Sequence, residues 1–185
     1  MNAKSLTRTK TFALMALFIA LSFVGSYLRI FGSIAFDSLP GFLAAMILGP
    51  IPGAIIGFLG HLFTALLSGF PLSPPLHLVI AGTMALTMYI YGLTYRILQK
   101  KCSETITLVI TVIVGIVFNA PVSLAFSMLT LWLMAGREAA LGLLALLPVL
   151  LIASAANVIL SVVIFKALEK IWKNYTNGAR KNADT

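Results

Sequence analysis

Apolar residues along this chain come in long runs, broken by short clusters of glycine, proline and charge. The first run covers residues 11 to about 30 and is preceded by Lys4, Arg8 and Lys10. Phe31-Gly32-Ser33 interrupts it, and the chain re-enters through Phe36-Asp37-Ser38-Leu39-Pro40. Residues 41–48 are apolar but few; with residues 34–36 they make a second, imperfect run. The uncharged turn Gly49-Pro50-Ile51-Pro52-Gly53 leads into a third run, residues 54–67. Residues 68–75 read as a loop, because Pro71, Pro74 and Pro75 crowd together and cannot continue a helix. A fourth run, residues 76 to about 98, closes with Arg96, Lys100 and Lys101. Residues 105–134 suffice for a tilted or broken fifth run, with Asn119-Ala120-Pro121 as the kink. The sixth, residues 139–165, ends in Lys166, Lys170 and Lys173. No soluble repeat or interdomain linker separates these runs.

Composition turns runs into spans. Of 185 residues, 60% are hydrophobic and 10% charged, against about 45–50% and about 25% in a soluble domain. Such a chain lacks the polar surface to cover its apolar side chains in water. A soluble enzyme, a disordered tail and a coiled coil are excluded. A membrane helix needs roughly 20 apolar residues, so the length holds six or seven spans at most, and an ATP-driven pump would draw its motor from another chain. The basic start followed by an apolar run imitates a signal peptide, but the run is too long and has no convincing cleavage site, so it reads as a first span. The single Cys102 implies no internal disulfide.

The formal charge of +8 sits where topology signals sit, and does not indicate nucleic acid. With the N-terminus inside, the inside segments carry Lys4, Arg8 and Lys10; Arg96, Lys100 and Lys101; and Lys166, Lys170, Lys173, Arg180 and Lys181. Only Arg29 and Arg137 fall outside. The expectation is an all-α integral membrane bundle of six transmembrane helices with both termini cytoplasmic. Residues 1–10 form the cytoplasmic N-terminus, 11–173 the transmembrane domain, and 174–185 a frayed cytoplasmic tail.

Few polar residues interrupt the runs. Asp37 is the sole carboxylate of the first ninety residues. At the mouth of the second helix it is either a functional ionisable group or a helix cap. His61 lies about 12 Å up the third helix from Gly53 at 1.5 Å per residue, near mid-membrane, which favours a cavity wall over a structural bond to a neighbouring helix. His77, after Pro74-Pro75, is a ligand contact or an interfacial histidine. Asn119 either bonds a ligand or satisfies carbonyls freed by Pro121, and Asn157 reads as an interhelical clamp. Ala13, Ala16 and Ala20 make one small-residue face; Gly53, Gly57 and Gly60 make another, read as internal packing. Trp132, Tyr27 and Phe70 fall at the outer boundary as belt aromatics, though Phe70 in its proline-rich loop could stack on a planar ligand. Asp37, His61, His77 and Asn119 are expected to be the polar contacts of an outward-facing apolar pocket under the loops at residues 31–37 and 68–75. Enzyme signatures are missing: there is no GxSxG, HExxH, acidic metal cluster or phosphate-binding glycine loop.

The layout resembles the substrate-binding S components of energy-coupling factor (ECF) vitamin transporters over nearly the whole chain. The resemblance rests on Ala16-x-x-x-Ala20, on the short second span entered through Asp37-Ser38-Leu39-Pro40, and on Gly49-Pro50-x-x-Gly53-Ala54 followed by Gly57 and Gly60. Many relatives carry an acidic residue where His61 stands. The string His61-Leu62, Ser68-Gly69-Phe70-Pro71-Leu72 and Pro75-Leu76-His77 is most similar to the branch assigned to alpha-ribazole, a cobalamin precursor. Metal-transporting members use an N-terminal histidine motif, which Met1-Asn2-Ala3 lacks. The resemblance implies capture of a vitamin from outside, for which Asp37, His61, Phe70, His77 and Asn119 are the expected contacts. It further implies docking through Ala13, Ala16 and Ala20 on a membrane-embedded coupling protein, and ATP-driven toppling. ATP would be used by two partner ATPase subunits; no metal or cofactor is expected in this chain. The rival readings are a stand-alone secondary carrier, with only Asp37 and His61 as coupling-site candidates, and an intramembrane enzyme, for which no nucleophile–base pair is visible.

Overall fold

In hydrocarbon, each backbone N–H and C=O needs a partner within the protein, so long apolar runs become helices. A computed structural model describes residues 8–27, 29–30, 34–71 and 73–183. The elements are α1 (Arg8–Tyr27), a short antiparallel pair β1 (Arg29–Ile30) and β2 (Ile34–Ala35), α2 (Leu39–Ile47), α3 (Pro50–Leu67) and α4 (Pro74–Leu98). They continue as α5 (Glu104–Val117), a π-helical turn (Phe118–Val122), α6 (Ser123–Ala135), α7 (Arg137–Gly142), a 3-10 turn (Leu143–Leu146) and α8 (Leu147–Ala183). Five stretches among the described residues are long and apolar enough to cross a membrane: α1, α3, α4, Glu104–Ala135 and Arg137–Ile171.

The imperfect second run is not a full span. Its helix α2 has nine residues, about 14 Å at 1.5 Å per residue, less than half of a hydrocarbon core of roughly 30 Å. Residues 34–35, expected to lengthen it, pair with β1 instead. What α2 lacks in length it makes up in enclosure: residues 40–48 are all buried, between α1, α3, α4 and α8. A helix apolar on every side is stable only when surrounded. Phe42 meets the buried Tyr91 edge to face at 4.9 Å, and the Tyr91 hydroxyl donates to Met46 Sδ at 3.3 Å.

Close approach rests on small residues. A Cβ on Gly53 would fall 2.6 Å from that of Ala45, one on Gly57 2.7 Å from Met88 Cγ, and one on Gly60 2.9 Å from Ser22 Cβ. The glycine face of α3 is therefore internal packing, as its spacing indicates. The α2–α3 turn needs Gly49, whose φ is +112° and whose missing side chain leaves room for the Arg96 guanidinium. Arg96 Nη2 donates to the Leu48 carbonyl at 2.9 Å, satisfying an acceptor at the C-terminal end of α2. Nearby, Lys166 pairs with Glu104 and with Glu169, the latter at 2.5 Å, tying α5 to α8.

Other boundaries differ from the sequence expectation. Pro74 and Pro75 are not loop but the first turn of α4, where a missing N–H is harmless. The sixth run is divided: Gly136 (φ +89°) starts the short α7, and the 3-10 turn precedes α8. Helix α8 then runs past residue 173 to Ala183, where a frayed tail was expected; no proline follows Pro148 to stop it. Most of the expected N-terminal segment (residues 1–7), the break at residues 31–33, and Leu72 lie outside the described residues.

Candidate functional site

A cavity of about 250 Å³ opens between α2, α3, α4, α6 and α8, at the end of the bundle away from Arg96 and Leu48. Asp37 and Ser38 line it where the chain enters α2, His61 lines it from α3, and Ile80 and Met84 from α4. Asn119, Ser123 and Ser127 form a polar column, each four residues from the next, so they stack on one helical face. Leu124 of α6, with Leu143, Leu146, Leu150, Ala153, Ser154 and Asn157 from the 3-10 turn and α8, completes the lining. The result is apolar walls with a few directed polar groups, the usual form of a small-molecule site.

Most of these polar groups are committed to the protein. Ser123 Oγ bonds Thr83 Oγ1 at 2.9 Å, and Ser127 Oγ donates to the Ser123 carbonyl at 2.9 Å. Asn157 Nδ2 donates to the Ala153 carbonyl at 2.8 Å, while its Oδ1 accepts from the Leu39 N–H at 2.9 Å. Asn157 thus clamps α8 to α2 and also faces the cavity. Asn119 is the exception: its Oδ1 is buried without a hydrogen-bond partner.

Asn119 owes its place to Pro121. A proline lacks the N–H that an α-helix would aim four residues back, at Val117. In a π turn each N–H reaches five residues back, so Val122 falls in register with that carbonyl. The turn Phe118–Val122 is π-helical, and Ser154 Oγ donates to the Ile116 carbonyl beside it at 3.5 Å. The expected kink is therefore a turn that carries Asn119 on the cavity wall.

The two histidines meet. His61 Nε2 lies 3.3 Å from His77 Nδ1. The ring centroids are 5.5 Å apart with planes 27° from parallel, so the rings touch edge to edge rather than face to face. His77 is not on the cavity wall; its Nε2 is buried without a partner, and Phe70 packs against its ring at 5.8 Å between centroids. Of the five sequence candidates, Asp37, His61 and Asn119 line the cavity. His77 stands behind His61, and Phe70 behind His77. The expected pocket under residues 68–75 is corrected accordingly: among the described residues none of that loop lines the cavity, and α6 and residues 143–157 supply the facing wall. Ser123, Ser127 and Ser154 were missed; for Ser123 and Ser127 the four-residue step from Asn119 was the available signal, and for Ser154 there was none. No group of three or more His, Cys, Asp or Glu residues among the described residues is placed to hold a metal ion.

On the outside of the bundle, α1 buries Met15, Phe18, Ser22, Gly25 and Ser26 and leaves Ala13, Ala16 and Ala20 exposed. Among the described residues, the alanine face is not buried by packing within the chain. Comparison with protein families finds that the model for the ECF transporter, substrate-specific component, matches residues 10–169. A search of curated proteins finds no match.

Proposed function

We propose that this chain, which belongs to the family of ECF transporter substrate-specific components, captures alpha-ribazole, a cobalamin precursor, in the cavity under Asp37, His61 and Asn119. Family membership makes it a substrate-binding transporter subunit, a multi-pass protein of the cell membrane whose substrate is a small molecule and whose partners are an ECF module. The choice of substrate goes further and has two supports. One is the similarity of the string from His61 to His77 to the alpha-ribazole branch. The other, which carries the reading, is Asn119, a cavity-lining residue whose Oδ1 has no hydrogen-bond partner within the protein, on a wall where most other polar groups are already paired. A riboside brings hydroxyl donors for that acceptor and for the neighbourhood of Asp37. Its flat base fits against Met84, Leu146 and Leu150.

Both termini are cytoplasmic in this reading, as the basic residues favour, and the cavity opens outward. The coupling protein docks on Ala13, Ala16 and Ala20, and its two ATPase subunits supply the energy for release inward. Titration calorimetry of the purified chain against alpha-ribazole and a panel of vitamins tests the substrate. Saturable one-to-one binding of alpha-ribazole, with much weaker binding of the others, is expected; preference for another vitamin would replace the assignment. Uptake of labelled alpha-ribazole should require co-expression of the ECF module; uptake by the chain alone would make it a secondary carrier. In a Cys102→Ser background, an impermeant maleimide should label Pro71→Cys in intact cells and leave Lys100→Cys unlabelled; the reverse would invert the orientation.

A further inference from the structure

We propose that His77 is a positioning residue that fixes the tautomer of His61, so that the cavity presents an N–H from His61 Nδ1 and selects a ligand carrying a hydrogen-bond acceptor there. The inference deepens the reading above and rests on it for the identity of the ligand.

A neutral imidazole has one N–H donor and one bare acceptor nitrogen, and the bond made by one nitrogen dictates the state of the other. His61 Nε2 and His77 Nδ1 are 3.3 Å apart, so one of them donates to the other. If His61 Nε2 donates, the proton of His77 sits on its Nε2, which is buried without an acceptor. If His77 Nδ1 donates, its Nε2 is a bare lone pair. Among backbone groups a buried N–H without an acceptor is rarer than an under-satisfied acceptor, and the same order applied to the rings disfavours the first arrangement. The second arrangement therefore wins: His77 Nδ1–H donates to His61 Nε2, and the proton of His61 resides on Nδ1.

His61 lines the cavity, and with Nε2 engaged, Nδ1 is its remaining polar atom. The site thus offers a donor at α3 and an acceptor, Asn119 Oδ1, at the π turn. A ligand that fits brings an unprotonated ring nitrogen or a carbonyl or hydroxyl oxygen toward α3. A benzimidazole riboside carries such acceptors in its imine nitrogen and its hydroxyls; a cationic group facing His61 would be rejected.

The chain has two histidines, so two-bond 1H–15N correlation on the 15N-histidine-labelled full chain in nanodiscs resolves both rings. The expected spectrum shows both rings protonated on Nδ1. Protonation of His61 on Nε2, with the His77 Nε2–H turned toward the Phe70 ring, would overturn the proposal. A second arm measures alpha-ribazole affinity. His77→Asn keeps an amide donor near the place of Nδ1 and should restore the His61 Nδ1–H signal and bind within about threefold of wild type. His77→Phe removes the donor and should lose roughly tenfold, with its melting temperature showing that it is folded. Equal loss in the two folded variants would show that His77 only packs. If wild type does not bind alpha-ribazole, the substrate assignment fails and the spectrum still decides the tautomer.

Discussion

Asn157 Oδ1 accepts the N–H of Leu39 at 2.9 Å, a bond across 118 positions of sequence that ties the N-terminal third of α8 to the first turn of α2. A helix N-terminus leaves four N–H groups without intrahelical partners, and Ser38, at the cap position, makes no side-chain bond to them. Asn157 therefore does from another helix what a cap does locally. Asn157→Leu should cost about 1–3 kcal/mol of stability by stranding the part-buried donor. A lowered thermal midpoint in detergent, with weaker ligand binding, is the expected result. An unchanged midpoint would show that water or lipid satisfies Leu39.

Asn119 should behave in the opposite sense. Its Oδ1 is buried and unbonded within the protein, a desolvation cost of about 1–3 kcal/mol that a ligand donor would offset. Asn119→Leu should leave the thermal midpoint unchanged or raise it, while alpha-ribazole affinity falls roughly 5- to 150-fold. A fall in stability without a fall in affinity would make Asn119 a structural residue of the π turn.

Gly25 packs against the backbone of the segment that leads into Asp37. The Phe36 N–H donates to the Gly25 carbonyl at 3.1 Å, and a Cβ on Gly25 would lie 2.4 Å from the Phe36 oxygen. Backbone cannot yield as a side-chain tip does. Gly25→Ala should displace the segment that carries Asp37 and weaken binding about tenfold or more, a loss typical of one buried polar contact. Calorimetry reads the affinity; normal binding would show that Asp37 contributes nothing to it.

The exposed alanine face of α1 predicts a separation of two activities. Ala16→Trp adds bulk where the chain itself has no neighbour to clash with, since Ala16 is exposed. Binding by the isolated protein should stay within about twofold, because surface changes of this kind usually cost under about 0.5 kcal/mol. Uptake with the ECF module should be abolished, because close helix approach needs small residues. Loss of binding by the isolated variant, or undiminished uptake, would remove the docking role of this face.

Much of this protein is local in origin and was legible from residues alone. A span is recognised by its run length because bilayer thickness fixes it, and basic residues mark the ends because charge is costly in hydrocarbon. The kink at Asn119-Ala120-Pro121 is local too: a proline withholds its N–H wherever it stands. Three of the five candidate residues proved to line the cavity, because a polar side chain in an apolar run needs a partner or a void. Other features depend on which helices meet. Nothing near residue 39 reveals that α2 is capped by Asn157, or that residues 34–35 would turn to β1 rather than extend the helix. The leucines and Ser154 of the facing wall look like any residues of an apolar run, since lipid and protein interior are equally apolar. Which face turns inward is then settled by packing between helices. His61 and His77 were each visible as polar exceptions, but their edge-to-edge contact exists only because α3 and α4 lie side by side. That contact leaves His77 behind the wall and His61 in it.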